Sequence, residues 1–284
     1  MNMKMEVKMS EALVNKIIPF SNVDGPGNRT AVFLQGCNLN CLYCHNPETI
    51  NICNNCGKCV TGCPADALEI SNGRVIWDSD KCINCDTCIK VCPNSSTPKV
   101  KKYSVKEVMK IILEYKNFIS GITFSGGECT LNHQFIVEVF KEVHKYGLTC
   151  FVDTNGFLDF ENLPELVKNT DKFMLDIKAW DSSEHIKLTG KDNNIIKKNL
   201  EYLIKLDKIY EIRTVVVPEI LDNENSVVNV SEILSGTEIQ YKLIKFRKNG
   251  VRLNLINVDM ATDSYMEKLK NRAIEIGVKK VVIT

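Results

Sequence analysis

Gln35-Gly36-Cys37-Asn38-Leu39-Asn40-Cys41-Leu42-Tyr43-Cys44-His45-Asn46-Pro47 follows directly on the apolar run Val32-Phe33-Leu34. That run reads as a strand. The cysteines, spaced Cys-x3-Cys-x2-Cys, therefore sit on a loop at its C-terminal end, the side on which sheets built of βα units carry their active sites. Three thiolates on one short loop can hold three irons of a 4Fe-4S cluster, and no fourth cysteine at a suitable spacing completes the set. One iron stays open to the amino and carboxylate groups of a bound molecule. The alternative is a zinc site made of Cys37, Cys41, Cys44 and His45.

Downstream, Cys53-x2-Cys56-x2-Cys59-x3-Cys63-Pro64 recurs as Cys82-x2-Cys85-x2-Cys88-x3-Cys92-Pro93. This is the run of bacterial two-cluster ferredoxins, in which the fourth cysteine of each repeat ligates the other cluster. One 4Fe-4S cluster would take Cys53, Cys56, Cys59 and Cys92, and the other Cys82, Cys85, Cys88 and Cys63. With the first site this makes three 4Fe-4S clusters. Zinc knuckles are the alternative for these cysteines. The clusters could relay electrons or could only staple a surface. The block from 51 to 98 is read as an inserted domain, too small to fold on apolar burial alone.

Beyond Ser104, β-rich runs alternate with helical stretches, the pattern of a parallel sheet covered by helices. Strands are expected at 30–34, 122–124, 148–152, 172–177, 212–217 and 239–246. Helices are expected at 105–115, 134–146 and 195–206, where apolar residues recur three and four apart. The fold class is α/β: a partial (βα)6 TIM-like barrel from residues 1–50 and 99–284, carrying a ferredoxin-like two-cluster insert.

Upstream of the cysteine loop, Ile17-Ile18-Pro19-Phe20-Ser21-Asn22-Val23-Asp24-Gly25-Pro26-Gly27-Asn28-Arg29 reads by itself as a surface loop with a tight turn. Together with Tyr43-Cys44-His45-Asn46-Pro47 it resembles the opening of the radical SAM (S-adenosylmethionine) glycyl radical enzyme activases. These form the pyruvate formate-lyase-activating enzyme family, and the resemblance, from Ile17 to about Arg252, is closest to its YjjW-type members. It implies that the reduced three-cysteine cluster cleaves SAM to methionine and a 5′-deoxyadenosyl radical, which abstracts hydrogen from a glycine of a partner glycyl radical enzyme. A flavodoxin- or ferredoxin-type protein would donate the electron. Two rivals stay open: a radical SAM enzyme acting on a small molecule or another peptide residue, and a non-catalytic multi-cluster electron-transfer protein.

The same resemblance implies the remaining site residues. Tyr43 belongs to the cofactor contacts. Ser125-Gly126-Gly127-Glu128, otherwise an ordinary turn, would bind the amino group of SAM through Gly126, Gly127 and Glu128, although Cys129 stands where the family usually has Pro. Asp153 and Asp176, with backbone of Thr154 and Met174, would hold a monovalent cation beside the SAM carboxylate, and Lys178 would contact SAM. Read alone, each Asp could instead cap a helix. Arg213 would pair with the ribose or carboxylate of SAM, or else with a neighbouring Asp. Phe246-Arg247 replaces the family's Tyr-His pair near adenine. Cys150 is expected to be buried, and His133, His144 and His185 have no ligand spacing.

Lys+Arg 36 against Asp+Glu 35 leaves a formal charge of +1, so no global field attracts nucleic acid or anionic membrane. Residues 1–16 lack a signal-peptide core, and no run approaches the roughly 18 apolar residues of a membrane span. Thirteen cysteines in a chain expected to be cytoplasmic read as metal ligands rather than disulfides. A monomer is expected.

Overall fold

The computed structural model describes residues 10–248 and 257–284, so residues 1–9 of the leading segment and Arg252 lie outside the described residues. The chain begins with β1 (Glu11–Ser21) and β2 (Arg29–Leu34). A hairpin of β3 (Leu68–Ser71) and β4 (Arg74–Trp77), a helical turn α1 (Thr87–Lys90) and a short β5 (Lys101–Ser104) follow. The alternating part runs α2 (Val105–Tyr115), β6 (Gly121–Gly126), α3 (His133–Val143), β7 (Thr149–Thr154), α4 (Pro164–Asn169) and β8 (Lys172–Asp176). It continues through α5 (Ser182–Thr189), α6 (Asn194–Lys205), β9 (Ile209–Val216), α7 (Asn223–Leu234), β10 (Gln240–Lys245), α8 (Asp263–Ile276) and β11 (Lys280–Ile283).

Nine strands form one mixed sheet in the order β11-β10-β9-β8-β7-β6-β2-β1-β5. The run from β2 through β6 to β11 is parallel, while β1 is antiparallel to both β2 and β5. All six expected strands are present and adjacent. Three were not expected. The loop expected from Ile17 overlaps only the second half of β1, and residues 11–16 carry no expected element; the strand forms because Ala12 and Val14 are buried and β2 and β5 pair with it on both sides. Pro19, which cannot donate to a ladder, falls where the β1–β2 register shifts. β5 and β11 are each only four residues long, too short to show a period.

The helices form for local reasons as well. Ser104 and Glu107 make a reciprocal capping box at the start of α2. α3 presents Phe135, Ile136, Val139, Phe140 and Val143 to the sheet, at helical spacing. The core joins these faces to strands buried on both sides, such as Val32, Leu34, Ile122, Phe124 and Val152. A separate, much smaller cluster within residues 51–98 has Cys59, Leu68 and Cys88 as its buried members. No helix among the described residues is long and apolar enough to cross a membrane.

Candidate functional site

Parallel strands put their C-terminal ends on one edge of the sheet, and a cavity of about 260 Å³ opens there. The loop after β2 supplies Cys37, Cys41, Tyr43 and Cys44 to its wall. That loop is held down by its own backbone: Cys37 N–H donates to Ile50 O (2.9 Å), Asn40 N–H to Thr189 O (3.0 Å) and Leu42 N–H to Leu188 O (2.9 Å). Leu39, Cys41 and Tyr43 pack in one apolar cluster with Leu188, Val217, Leu221 and Phe246. The sulfurs therefore stand over the ends of the central strands, and burial pushes the Cys37 thiol up to about 12.

Opposite the cysteines, neighbouring strands contribute two carboxylates and two cations. Arg213 Nη1 lies 3.1 Å from Asp153 Oδ2, and Lys178 Nζ lies 2.8 Å from Asp176 Oδ2. Burial pushes the Asp153 carboxyl up, Arg213 pulls it back down, and the nearby Asp176 raises it again. Burial also disfavours the Lys178 ammonium, yet Asp176 and Tyr43 hold it well above the ordinary lysine value. Neither Asp caps a helix: Asp159 caps the turn after β7 and Asp181 caps α5. Met174 faces Asp153 across the β7–β8 register, but its sulfur is taken by Arg213 Nη2 at 3.0 Å.

Gly126 and Gly127 are required by packing. A Cβ on Gly127 would stand 2.2 Å from Gly36 O and 2.7 Å from Thr49 O, and one on Gly126 2.3 Å from Leu34 O. These glycines let the β6 end lie directly against the cysteine loop. Glu128, expected as a cofactor contact, turns away from the cavity. Its buried carboxylate accepts from Thr130 N–H (3.1 Å), Thr130 Oγ1 (2.6 Å), Thr154 Oγ1 (2.8 Å) and Asn155 N–H (2.7 Å). It braces the β6 and β7 loops against each other. Glu128→Gln puts an amide donor among those donors, and is expected to lower the urea midpoint by the equivalent of about 1–3 kcal/mol.

Ser125, Asn155 and Glu211 stand at the site although the sequence assigned them no role there. Ser125 Oγ donates to Asp153 (2.9 Å), and Asn155 lines the cavity beside Cys37. Glu211, buried on β9, accepts from Arg213 Nε (2.5 Å) and from Gln240, and lies 3.5 Å from Lys242 Nζ. It aims the guanidinium at Asp153. An alternating strand could have suggested it, since Glu211 and Arg213 share a face. His45 lines the cavity and meets Phe246 edge-on at 6.0 Å. Cys129 is buried, its thiol donating to Asp153 O (3.3 Å), and Cys150 is buried too. His144, Cys150 and Asp171 bring their donor atoms within 4.8 Å at the other ends of the strands. There Asp171 Oδ2 already accepts from Cys150 N–H (2.6 Å) and contacts His144 Nε2 (3.1 Å).

Among residues 51–98, Cys63, Cys82, Cys85 and Cys88 line one small cavity that Trp77 and Lys99 also border. Burial raises the Cys59 thiol to about 11, a backbone hydrogen bond opposes this, and Cys88, Cys53 and Cys92 add to the rise.

The donor set at the first site fits an iron–sulfur cluster and a polar ligand: three cysteines face one cavity, and the buried Tyr43 hydroxyl on its wall has no hydrogen-bond partner among the described residues. Residues 31–230 match the model of the radical SAM superfamily, and the chain belongs to that superfamily. Within it the chain is one of the glycyl-radical enzyme activating enzymes. It is 35% identical over 235 residues to the trans-4-hydroxy-L-proline dehydratase activating enzyme of Clostridioides difficile, covering 76% of this chain and 78% of that one. It is 31% identical over 263 residues to the 4-hydroxyphenylacetate decarboxylase activating enzyme of Clostridium scatologenes, covering 84% of each. The fold matches that of QueE from Escherichia coli with a TM-score of 0.54 at 12% identity, over 96% of this chain and 94% of that one.

Proposed function

We propose that this chain activates a glycyl radical enzyme by hydrogen abstraction from a glycine of that partner. The observation that carries the reading is the pairing of three inward-facing cysteines with a balanced set of two acids and two bases on adjacent strand ends. Such a set complements a zwitterion. The methionine end of SAM is one, and its carboxylate finds Lys178 and Arg213 here. A 4Fe-4S cluster on Cys37, Cys41 and Cys44 would supply the electron that splits SAM into methionine and the hydrogen-abstracting 5′-deoxyadenosyl radical.

The residues of the chain do the rest. Backbone at Gly126 and Gly127 offers polar groups to the SAM amino end without side-chain bulk. Lys178 and Arg213 face its carboxylate and ribose, and Tyr43 closes the loop side. Asp153 and Asp176, with Thr154 and the backbone of Met174, form the proposed seat of a monovalent cation. No side-chain acid or base is needed; the chain orients the reactants and excludes water.

The sheet is read as a partial (βα)6 barrel, and residues 51–98 as a ferredoxin-like domain with two further 4Fe-4S clusters. The shared cavity of Cys63 with Cys82, Cys85 and Cys88 supports exchange of the fourth ligand between the repeats. Exposed Cys56 and Cys85 suit electron entry from a flavodoxin- or ferredoxin-type donor. A thiol-rich chain of this kind suits the reducing cytoplasm, and we read it as a monomer. Cys63→Ala is expected to remove the iron of the second cluster and leave SAM cleavage by strong chemical reductant in place, as checked by iron content and 5′-deoxyadenosine.

The experiment for the function as a whole is anaerobic reduction of the reconstituted protein with SAM, following 5′-deoxyadenosine. Formation supports radical SAM chemistry, and a glycyl radical doublet in the electron paramagnetic resonance (EPR) spectrum of an added partner identifies the acceptor. Absence of 5′-deoxyadenosine with full iron content overturns the reading in favour of electron transfer alone.

A further inference from the structure

Asn155, at the end of β7, uses every polar atom of its side chain in one interlock with the cysteine loop. Its Oδ1 accepts from Phe157 N–H at 2.9 Å, which settles the orientation of the amide. The Nδ2 group is thereby turned toward the loop, where it meets Asn38 Oδ1 at 2.9 Å and Cys37 Sγ at 3.7 Å. Asn38 completes the ring by donating from Nδ2 to Phe157 O at 3.2 Å. The Asn155 backbone is pinned in turn, because its N–H donates to the buried Glu128 carboxylate at 2.7 Å. With 5% exposure, Asn155 has little water to compete for its donors.

We propose that Asn155 is a positioning residue that donates a hydrogen bond to the Cys37 sulfur and thereby raises the reduction potential of the SAM-cleaving cluster. The inference rests on the cluster reading given above. A coordinating thiolate carries negative charge, and reduction adds more to the cluster. A donor aimed at the sulfur stabilises the reduced form over the oxidised one, and outer-shell donors of this kind tune metal sites generally. The Leu39 N–H, 3.5 Å from the same sulfur, acts in the same direction. Neither the cysteine spacing nor the local run Asp153-Thr154-Asn155-Gly156 announces this contact, which joins residues 118 positions apart.

The test uses the full chain, reconstituted anaerobically, as wild type, Asn155→Asp and Asn155→Ala. Asn155→Asp is nearly isosteric and keeps an acceptor for Phe157, but offers Cys37 a negative oxygen instead of a donor; Asn155→Ala removes the donor without adding charge. Each is titrated by EPR-monitored potentiometry, with iron content measured alongside and the cluster of interest identified as the signal that SAM perturbs. The expected result is wild-type iron content, a more negative midpoint in both variants, further in Asn155→Asp, and slower SAM cleavage that a stronger reductant restores. An unchanged midpoint in both, or a shift in Asn155→Asp alone, overturns the proposal. So does loss of the SAM-sensitive signal from both, which would make the interlock purely structural. A wild type whose iron is complete but whose spectrum ignores SAM overturns the site assignment itself.

Discussion

Cys41→Ala is expected to reduce 5′-deoxyadenosine formation to the level of a protein-free control. Cys41 is buried with Leu39 and Tyr43 against Leu188, Val217 and Phe246, so the smaller side chain can be accommodated and the loop should keep its backbone anchors. What disappears is one of the three proposed ligands, at a site with no further cysteine at a suitable spacing. Iron content should fall by the share of one cluster, because the eight cysteines between Cys53 and Cys92 are untouched. Retained SAM cleavage in the variant would remove the three-cysteine loop from the chemistry; loss of all iron would instead show that the insert depends on it for folding.

Arg29→Met is expected to give the largest loss of stability. Arg29 is fully buried, and its guanidinium makes five hydrogen bonds: to Thr123 Oγ1, Ile122 O, Pro26 O, Thr149 O and Thr149 Oγ1. It also lies 4.1 Å from the centroid of the Phe151 ring. Burial lowers its pKa to about 10, with Cys150 and Asp171 acting against the shift, so the side chain remains charged at neutral pH. Methionine fills much of the volume but satisfies none of the acceptors. Leaving two or more buried acceptors unsatisfied, at about 1–3 kcal/mol each, gives a loss of roughly 3 kcal/mol or more. Urea denaturation of the reconstituted protein measures it. A midpoint within error of wild type would mean that the β2, β6 and β7 ends hold without the guanidinium.

These two variants also separate the parts of the opening segment. Arg29 ends the run from Ile17 that resembles the activases, yet it stands at the start of β2, at the opposite end of the strand from the cysteine loop. Its role in the structure is to tie β2, β6 and β7 together where they begin. Cys37, Cys41 and Cys44 stand where those strands finish. One short strand connects the two, so a disturbance at Arg29 is expected to be read first in stability and an alteration at Cys41 first in chemistry.

Spacing by itself determined a great deal. Cys37, Cys41 and Cys44, and the two identical four-cysteine repeats, are legible because the cysteines within each motif are close in sequence and their spacing is a local matter. The six adjacent parallel strands are legible because strands buried on both faces read as unbroken apolar runs, as in Thr30-Ala31-Val32-Phe33-Leu34. β1, β5 and β11 were not, because an edge or near-edge strand mixes polar and apolar residues and owes its pairing to a neighbour distant in sequence. The same division runs through the site. Asp153, Asp176, Lys178 and Arg213 could be proposed from motifs, but their pairing depends on which strands adjoin. That Glu128 turns inward as a brace, that Glu211 aims Arg213, and that Asn155 reaches the Cys37 sulfur are decided by tertiary structure alone. Each joins side chains from different strand ends, and a hydrogen bond needs a distance and a direction that no local pattern of residues specifies.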